Sequence, residues 1–149
     1  MNPTEIKKYI DQSILCWLAT VSKDGIPNVS PKECFTYYGD KHIIIGNIAS
    51  PQTVKNIQSN SNVCISFIDI LVQKGFQIKG QGQIIDESND KFKKYYPLIH
   101  KLTCGKFPFA TITEISIDQV KPIVAPSYIL YPETTEEEQI ESAKKAYSL

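Results

Sequence analysis

A chain of 149 residues with 42% hydrophobic and 21% charged side chains is the size of one ordinary globular domain, and no composition shift divides it. Sixteen basic residues, all lysine, balance sixteen acidic ones, so no broad field for nucleic acid or anionic membrane exists and any anion recognition must be local. The N-terminus has no basic region followed by an apolar core, and no apolar run approaches membrane-spanning length, which predicts a cytoplasmic protein with neither nucleic-acid nor membrane partners.

Thr4 can cap a first helix whose Ile6, Tyr9, Ile10 and Ile14 share one face. The run from Ile14 to Val21 is apolar throughout and reads as an interior strand. Ser22-Lys23-Asp24-Gly25 turns it into a hairpin whose second arm, Ile26 to Lys32, is interrupted by Pro27 and Pro31, as an edge strand or a binding segment would be. Cys34 to Tyr38 and His42 to Gly46 form a second hairpin, the latter a buried strand on account of Ile43, Ile44 and Ile45.

The stretch from Gly46 to Phe67 then organises the rest. Ser50 is a good N-cap and Pro51 a good first helical residue, so the free N–H groups of Gln52, Thr53 and Val54 would face outward where the helix dipole favours an anion. Thr53 adds a hydroxyl and Lys55 a charge. Taken alone this pattern is weak, since most such helix starts bind only water. Val54 and Ile57 supply the helix core face, and Asn62 to Asp69 reads as the next strand.

Ile70 to Gly75 is more apolar than most loops, fitting a flap, a subunit contact or a continued strand. Gly75 to Asp86 alternates as a strand, with Gly80 and Gly82 marking curvature or close backbone approach. Ser88-Asn89-Asp90 can cap a helix to about Lys101 with Phe92, Tyr95, Tyr96 and Ile99 inward; His100 ends it as a dipole-favouring terminus, and Ala110 to Val120 is a late strand. Ser127 to Tyr131 reads as a short strand or a contact with a neighbouring subunit, and Thr134 onward as an acid-first, lysine-last helix. The four cysteines lack metal or redox spacing and read as reduced core thiols, so no metal is expected. Walker, GxGxxG, HExxH and Ser-His-Asp signatures are absent.

Asn28-Val29-Ser30-Pro31-Lys32, followed by Ser50-Pro51-Gln52-Thr53-Val54-Lys55-Asn56-Ile57 and Asn60-Ser61-Asn62-Val63-Cys64-Ile65, resembles the FMN-binding split-barrel family related to pyridoxamine 5'-phosphate oxidase. The resemblance runs over about residues 10 to 120 as an order of elements. It implies a single α+β domain over residues 1–149, a six- to seven-stranded antiparallel split β-barrel with flanking helices. It also implies a homodimer with FMN near the subunit interface. By that resemblance Ser50, Gln52, Thr53, Lys55 and Asn56 hold the phosphate. Ser30, Pro31, Lys32, Glu33, Asn47 and Ile48 lie against the ring, and Lys79 and Gln81 supply polar groups near the cofactor. Gln52 stands where many relatives carry lysine or arginine, which implies modest affinity. The implied activity is FMN-dependent oxidoreduction with a small-molecule electron donor and acceptor. The alternatives are a non-catalytic flavin or small-ligand sensor and an F420-dependent reductase. Pyridoxamine phosphate oxidation itself is not expected, because the acidic C-terminal segment lacks the family's arginine-rich substrate-phosphate element.

Overall fold

The computed structural model describes residues 2–149. Helix α1 (Pro3–Gln12) precedes strands β1 (Cys16–Val21), β2 (Pro27–Lys32), β3 (Phe35–Tyr38) and β4 (His42–Gly46). Helix α2 (Pro51–Ser59), strands β5 (Asn62–Asp69) and β6 (Lys74–Ile85), and helix α3 (Asp90–Leu102) follow. Strand β7 (Ile112–Val124) and helices α4 (Pro126–Leu130) and α5 (Glu136–Tyr147) complete the chain. The seven strands form one antiparallel sheet in the order β2-β1-β5-β6-β7-β4-β3, curled into the split barrel that the sequence implied.

Curling depends on β6. The register slips between Lys79 and Gly80, and a Cβ built on Gly80 would sit 2.0 Å from the Ser116 carbonyl oxygen. Only glycine lets β7 come that close, so the bend is written into this position. The triple isoleucine of β4 serves two layers: Ile43 and Ile45 face the barrel interior with Leu18, Ile65, Ile78 and Ile115, whereas Ile44 faces α3 with Ile85, Tyr95, Ile99 and Ile112. Helix α1 closes the interior with Ile6, Tyr9 and Ile10, each such burial stabilising by about 1.5–3 kcal/mol.

Several expectations change. Asn2, not Thr4, caps α1, because its Oδ1 accepts from the Thr4 and Glu5 amides. Ile14 lies outside the helix and is exposed, and β1 turns Trp17 outward while Cys16 and Leu18 face in, so the run is one-sided, not interior throughout. β2 pairs with β1 at six successive positions, so its prolines mark an uninterrupted edge strand. The 70–73 segment is a hairpin turn: Asp69 Oδ1 accepts from Leu71 and Val72 amides, and Tyr128 Oη donates to the Val72 carbonyl at 2.9 Å. That turn is covered by the chain's own α4, which is itself a helix where an extra strand was one expectation. β7 runs through Pro122 because only β6 pairs with it there. Tyr96 on α3 remains half exposed. The Ser22–Gly25 turn forms as expected, with Gly25 at φ 81° and Ser22 Oγ accepting from the Asp24 and Ile26 amides. The final helix begins with a complete capping box between Thr135 and Glu138.

Candidate functional site

β2 ends at Lys32 and β4 at Gly46, and the chain then makes a sharp turn through Ala49 (φ 48°) into α2. Asn47 anchors that turn. Its backbone N–H donates to the Thr111 carbonyl, its Nδ2 donates to Thr111 Oγ1 at 3.1 Å, and its Oδ1 accepts from Thr113 Oγ1 at 2.9 Å. With its side chain thus engaged, Asn47 holds the corner rigid.

Lys32 reaches into the same corner. Its side chain is only 5% exposed, and its Nζ donates to Ser50 Oγ, which in turn donates to the Ile48 carbonyl at 2.8 Å. Because Ser50 Oγ faces Lys32 and Ile48, it does not cap α2, and the first-turn amides are left without a side-chain acceptor. Among the described residues no carboxylate pairs with Lys32. Burial lowers its pKa, opposed weakly by the neighbouring Cys16, whose own thiol burial pushes well above the usual range. The result is a buried ammonium beside an uncapped helix N-terminus.

A cleft of about 450 Å³ opens at this corner. Pro31, Lys32, Glu33 and Cys34 line it from the end of β2 and the link to β3, and Gly46 and Ile48 from the end of β4. Leu102, Thr103 and Phe107 line it from the end of α3 and the loop beyond, with Ile14 from the α1–β1 link. Thr103 ties that loop down, donating to the His100 carbonyl at 2.9 Å and accepting from the Gly105 amide.

The other sequence candidates divide. Ser30 is half-buried on the Lys32 side of β2. On α2, Gln52 Nε2 donates to Asn56 Oδ1 at 2.7 Å and Asn56 Nδ2 to Thr20 Oγ1 at 3.0 Å, so Asn56 pins the helix to β1. Thr53 is buried and Lys55 exposed one turn from the helix start. Lys79 and Gln81 stand apart, on a separate groove with Asn62 and Asp118, where Gln81 bonds Ser61, Asn62 and Asp118. Ile14, Cys34, Leu102, Thr103 and Phe107 escaped sequence reasoning, since nothing local separates a cleft wall from an exposed loop residue. The one available signal was Phe107, a large aromatic in a Gly- and Pro-containing loop. Among the described residues no cluster of three His, Cys, Asp or Glu side chains forms a metal site, and no helix is long and apolar enough to cross a membrane.

Fold and corner together define a split-barrel protein with a buried lysine at an uncapped helix start, beside a cleft of about 450 Å³. The model of the pyridoxamine 5'-phosphate oxidase family matches residues 3–123, and the chain belongs to that family. No curated protein matches the sequence. Among solved structures, HupZ from Group A Streptococcus is 27% identical with a TM-score of 0.68, covering 80% of this chain and 92% of its own. An FMN-binding protein from Syntrophomonas wolfei shares the fold at 16% identity and a TM-score of 0.69, covering 83% of this chain and 86% of its own. An F420 reductase does so at 19% identity and a TM-score of 0.60, covering 80% of this chain and 98% of its own.

Proposed function

We propose that the chain is an FMN-binding oxidoreductase acting as a homodimer. One observation carries the reading: Lys32 is buried without a counter-ion next to the uncapped first turn of α2. An uncompensated buried charge is costly, and a phosphate dianion bound there would be met by the ammonium, by the Gln52 and Thr53 amides and by the helix dipole. The cleft volume falls within the range of small-ligand sites, and its Pro31, Ile48, Leu102 and Phe107 walls suit a flat ring. The residues present therefore fit FMN, with Ser50, Gln52 and Thr53 about the phosphate and Lys55 supplying outer charge. Ser30 to Glu33 and Ile48 would stand beside the ring.

Bound FMN would supply hydride or one-electron transfer, while the protein orients the ring and excludes water. F420 is the competing cofactor, and a sharing of fold with an F420 reductase leaves that choice to experiment. The dimer rests on a second feature. Trp17 pairs with Pro31 and Ala19 with Val29 on the outward side of β1 and β2, and Trp17 is 51%, Val29 58% and Ile14 71% exposed. Ile14 and Pro31 also line the cleft, so a second copy on this face would wall the ring in.

The test is mass spectrometry and the absorbance spectrum of the small molecule that co-purifies with native protein, followed by NAD(P)H-dependent bleaching. Release of FMN with bleaching supports a reductase. FMN without bleaching by any pyridine nucleotide points to a carrier or sensor, and a preparation that neither contains nor takes up flavin overturns the proposal. Sedimentation of Trp17→Glu against the parent checks the dimer: the parent should sediment as two copies and the variant as one.

A further inference from the structure

We propose that a second site, for a small aromatic ammonium ion, lies beside the N-terminal half of α3. The hollow there measures about 530 Å³ and is separate from the cleft, which uses the other end of the helix. Its wall is aromatic. Tyr96 stacks on Phe109 with centroids 4.9 Å apart and planes 30° apart, and Phe92 lies 5.5 Å from Tyr96. All three rings line the hollow, with Tyr96 exposed and Phe92 and Phe109 half-buried.

Its rim is acidic. Asp86 and Glu87 line the hollow from the link between β6 and α3, and no lysine or histidine lines it. Asp86 is fixed by the Ser88 amide at 3.0 Å and the Ser88 hydroxyl at 2.5 Å, whereas Glu87 makes no ion pair among the described residues. Lys91, in the first turn of α3, is bonded to Glu114 at 2.7 Å. Lys93 borders a separate shallow recess on the other side of Phe92 and Tyr96, and His100 stacks on Tyr96 further along the helix. Aromatic rings and carboxylates without a resident cation select an organic cation over an anion or a neutral molecule, and the aromatic lining favours one carrying a ring.

The experiment titrates the full-length protein with benzylamine, charged at neutral pH, and with benzyl alcohol, its neutral counterpart of similar shape, following backbone amide NMR shifts. Benzylammonium should give saturable shifts at Glu87, Ser88, Ala110 and Thr111 and bind at least about fivefold more tightly than the alcohol. Glu87→Gln and Tyr96→Ala should each weaken it about threefold to tenfold with flavin occupancy unchanged. Thermal unfolding checks that both variants fold, and if Tyr96→Ala does not, the exposed Glu87→Gln decides. Equal binding of the alcohol, shifts that map elsewhere or no saturation overturns the site, whatever the outcome for flavin.

Discussion

Two buried charges in this molecule have opposite fates. Glu114, 3% exposed on β7, is met by Lys91 Nζ at 2.7 Å and by the Tyr95 hydroxyl, so its charge is answered inside the chain. Lys32, as deeply buried, is answered only by a neutral hydroxyl. A chain gains nothing in stability from an unanswered buried charge, so the contrast separates a group that serves the fold from one that, in the proposed function, meets a ligand. Their pKa directions agree. Burial pushes Glu114 upward, but the Lys91 and Tyr95 bonds outweigh it and hold the carboxyl below its ordinary range, whereas burial leaves Lys32 below the ordinary lysine range.

The largest effect tests the structural member. Glu114→Ala leaves Lys91 and Tyr95 unmatched and should cost about 3 kcal/mol, seen as a thermal-midpoint fall of roughly 6–12 °C, with FMN stoichiometry per folded molecule unchanged. Lys32→Met should do the reverse. FMN affinity, read by fluorescence quenching, should fall about tenfold to a hundredfold while unfolding in denaturant stays within about 1 kcal/mol of the parent or becomes harder. If Lys32→Met destabilises the chain as much as Glu114→Ala does, the distinction between the two corners is broken.

The same pair separates by pH. Glu114 contributes its full stability above the ordinary glutamate pKa, and that contribution is lost as pH falls through its lower folded value. For Lys32 the unfolded chain holds the proton more strongly. Unliganded stability should therefore rise with pH between its lowered folded pKa and the ordinary lysine value, and FMN affinity should fall across the same window as the ammonium is lost. Denaturant titrations at fixed ionic strength, with and without FMN, read both trends. A smaller effect is expected from Gln52→Ala combined with Thr53→Ala, a severalfold loss of flavin affinity, because the amides that face the anion survive the substitution. Unchanged flavin occupancy in that double variant would falsify the phosphate seat. Gln81→Ala should have the smallest effect on flavin, since its groove is separate from the cleft.

Much of the fold was legible because periodicity and turn chemistry are local. The β4 isoleucines, the Ser22–Gly25 turn, the Gly80 bend and the final helix all announce themselves within a few residues. Trp17 was harder to place. A strand with Cys16, Leu18 and Ala19 around it reads as buried on both sides, and only the packing of Cys16 and Leu18 into the barrel interior shows which face lies open. The site was half legible. Ser50, Pro51 and Lys32 of the candidate corner were named through motif resemblance, but their contacts were not. A serine before a helical proline reads as a cap, and here Ser50 bonds a lysine from another strand instead.

By itself the sequence determined most of the order of elements and the need for any anion site to be local, because propensity, hydrophobic period and net charge act over short range or simple sums, and the split barrel followed from its resemblance to a family. Only the tertiary structure decided that Lys32 is buried without a counter-ion, that Lys79 and Gln81 lie away from the cleft, and that Leu102 and Phe107 help to enclose it. The physical reason is that desolvation and enclosure are properties of groups brought together from distant parts of the chain, and no local pattern specifies them.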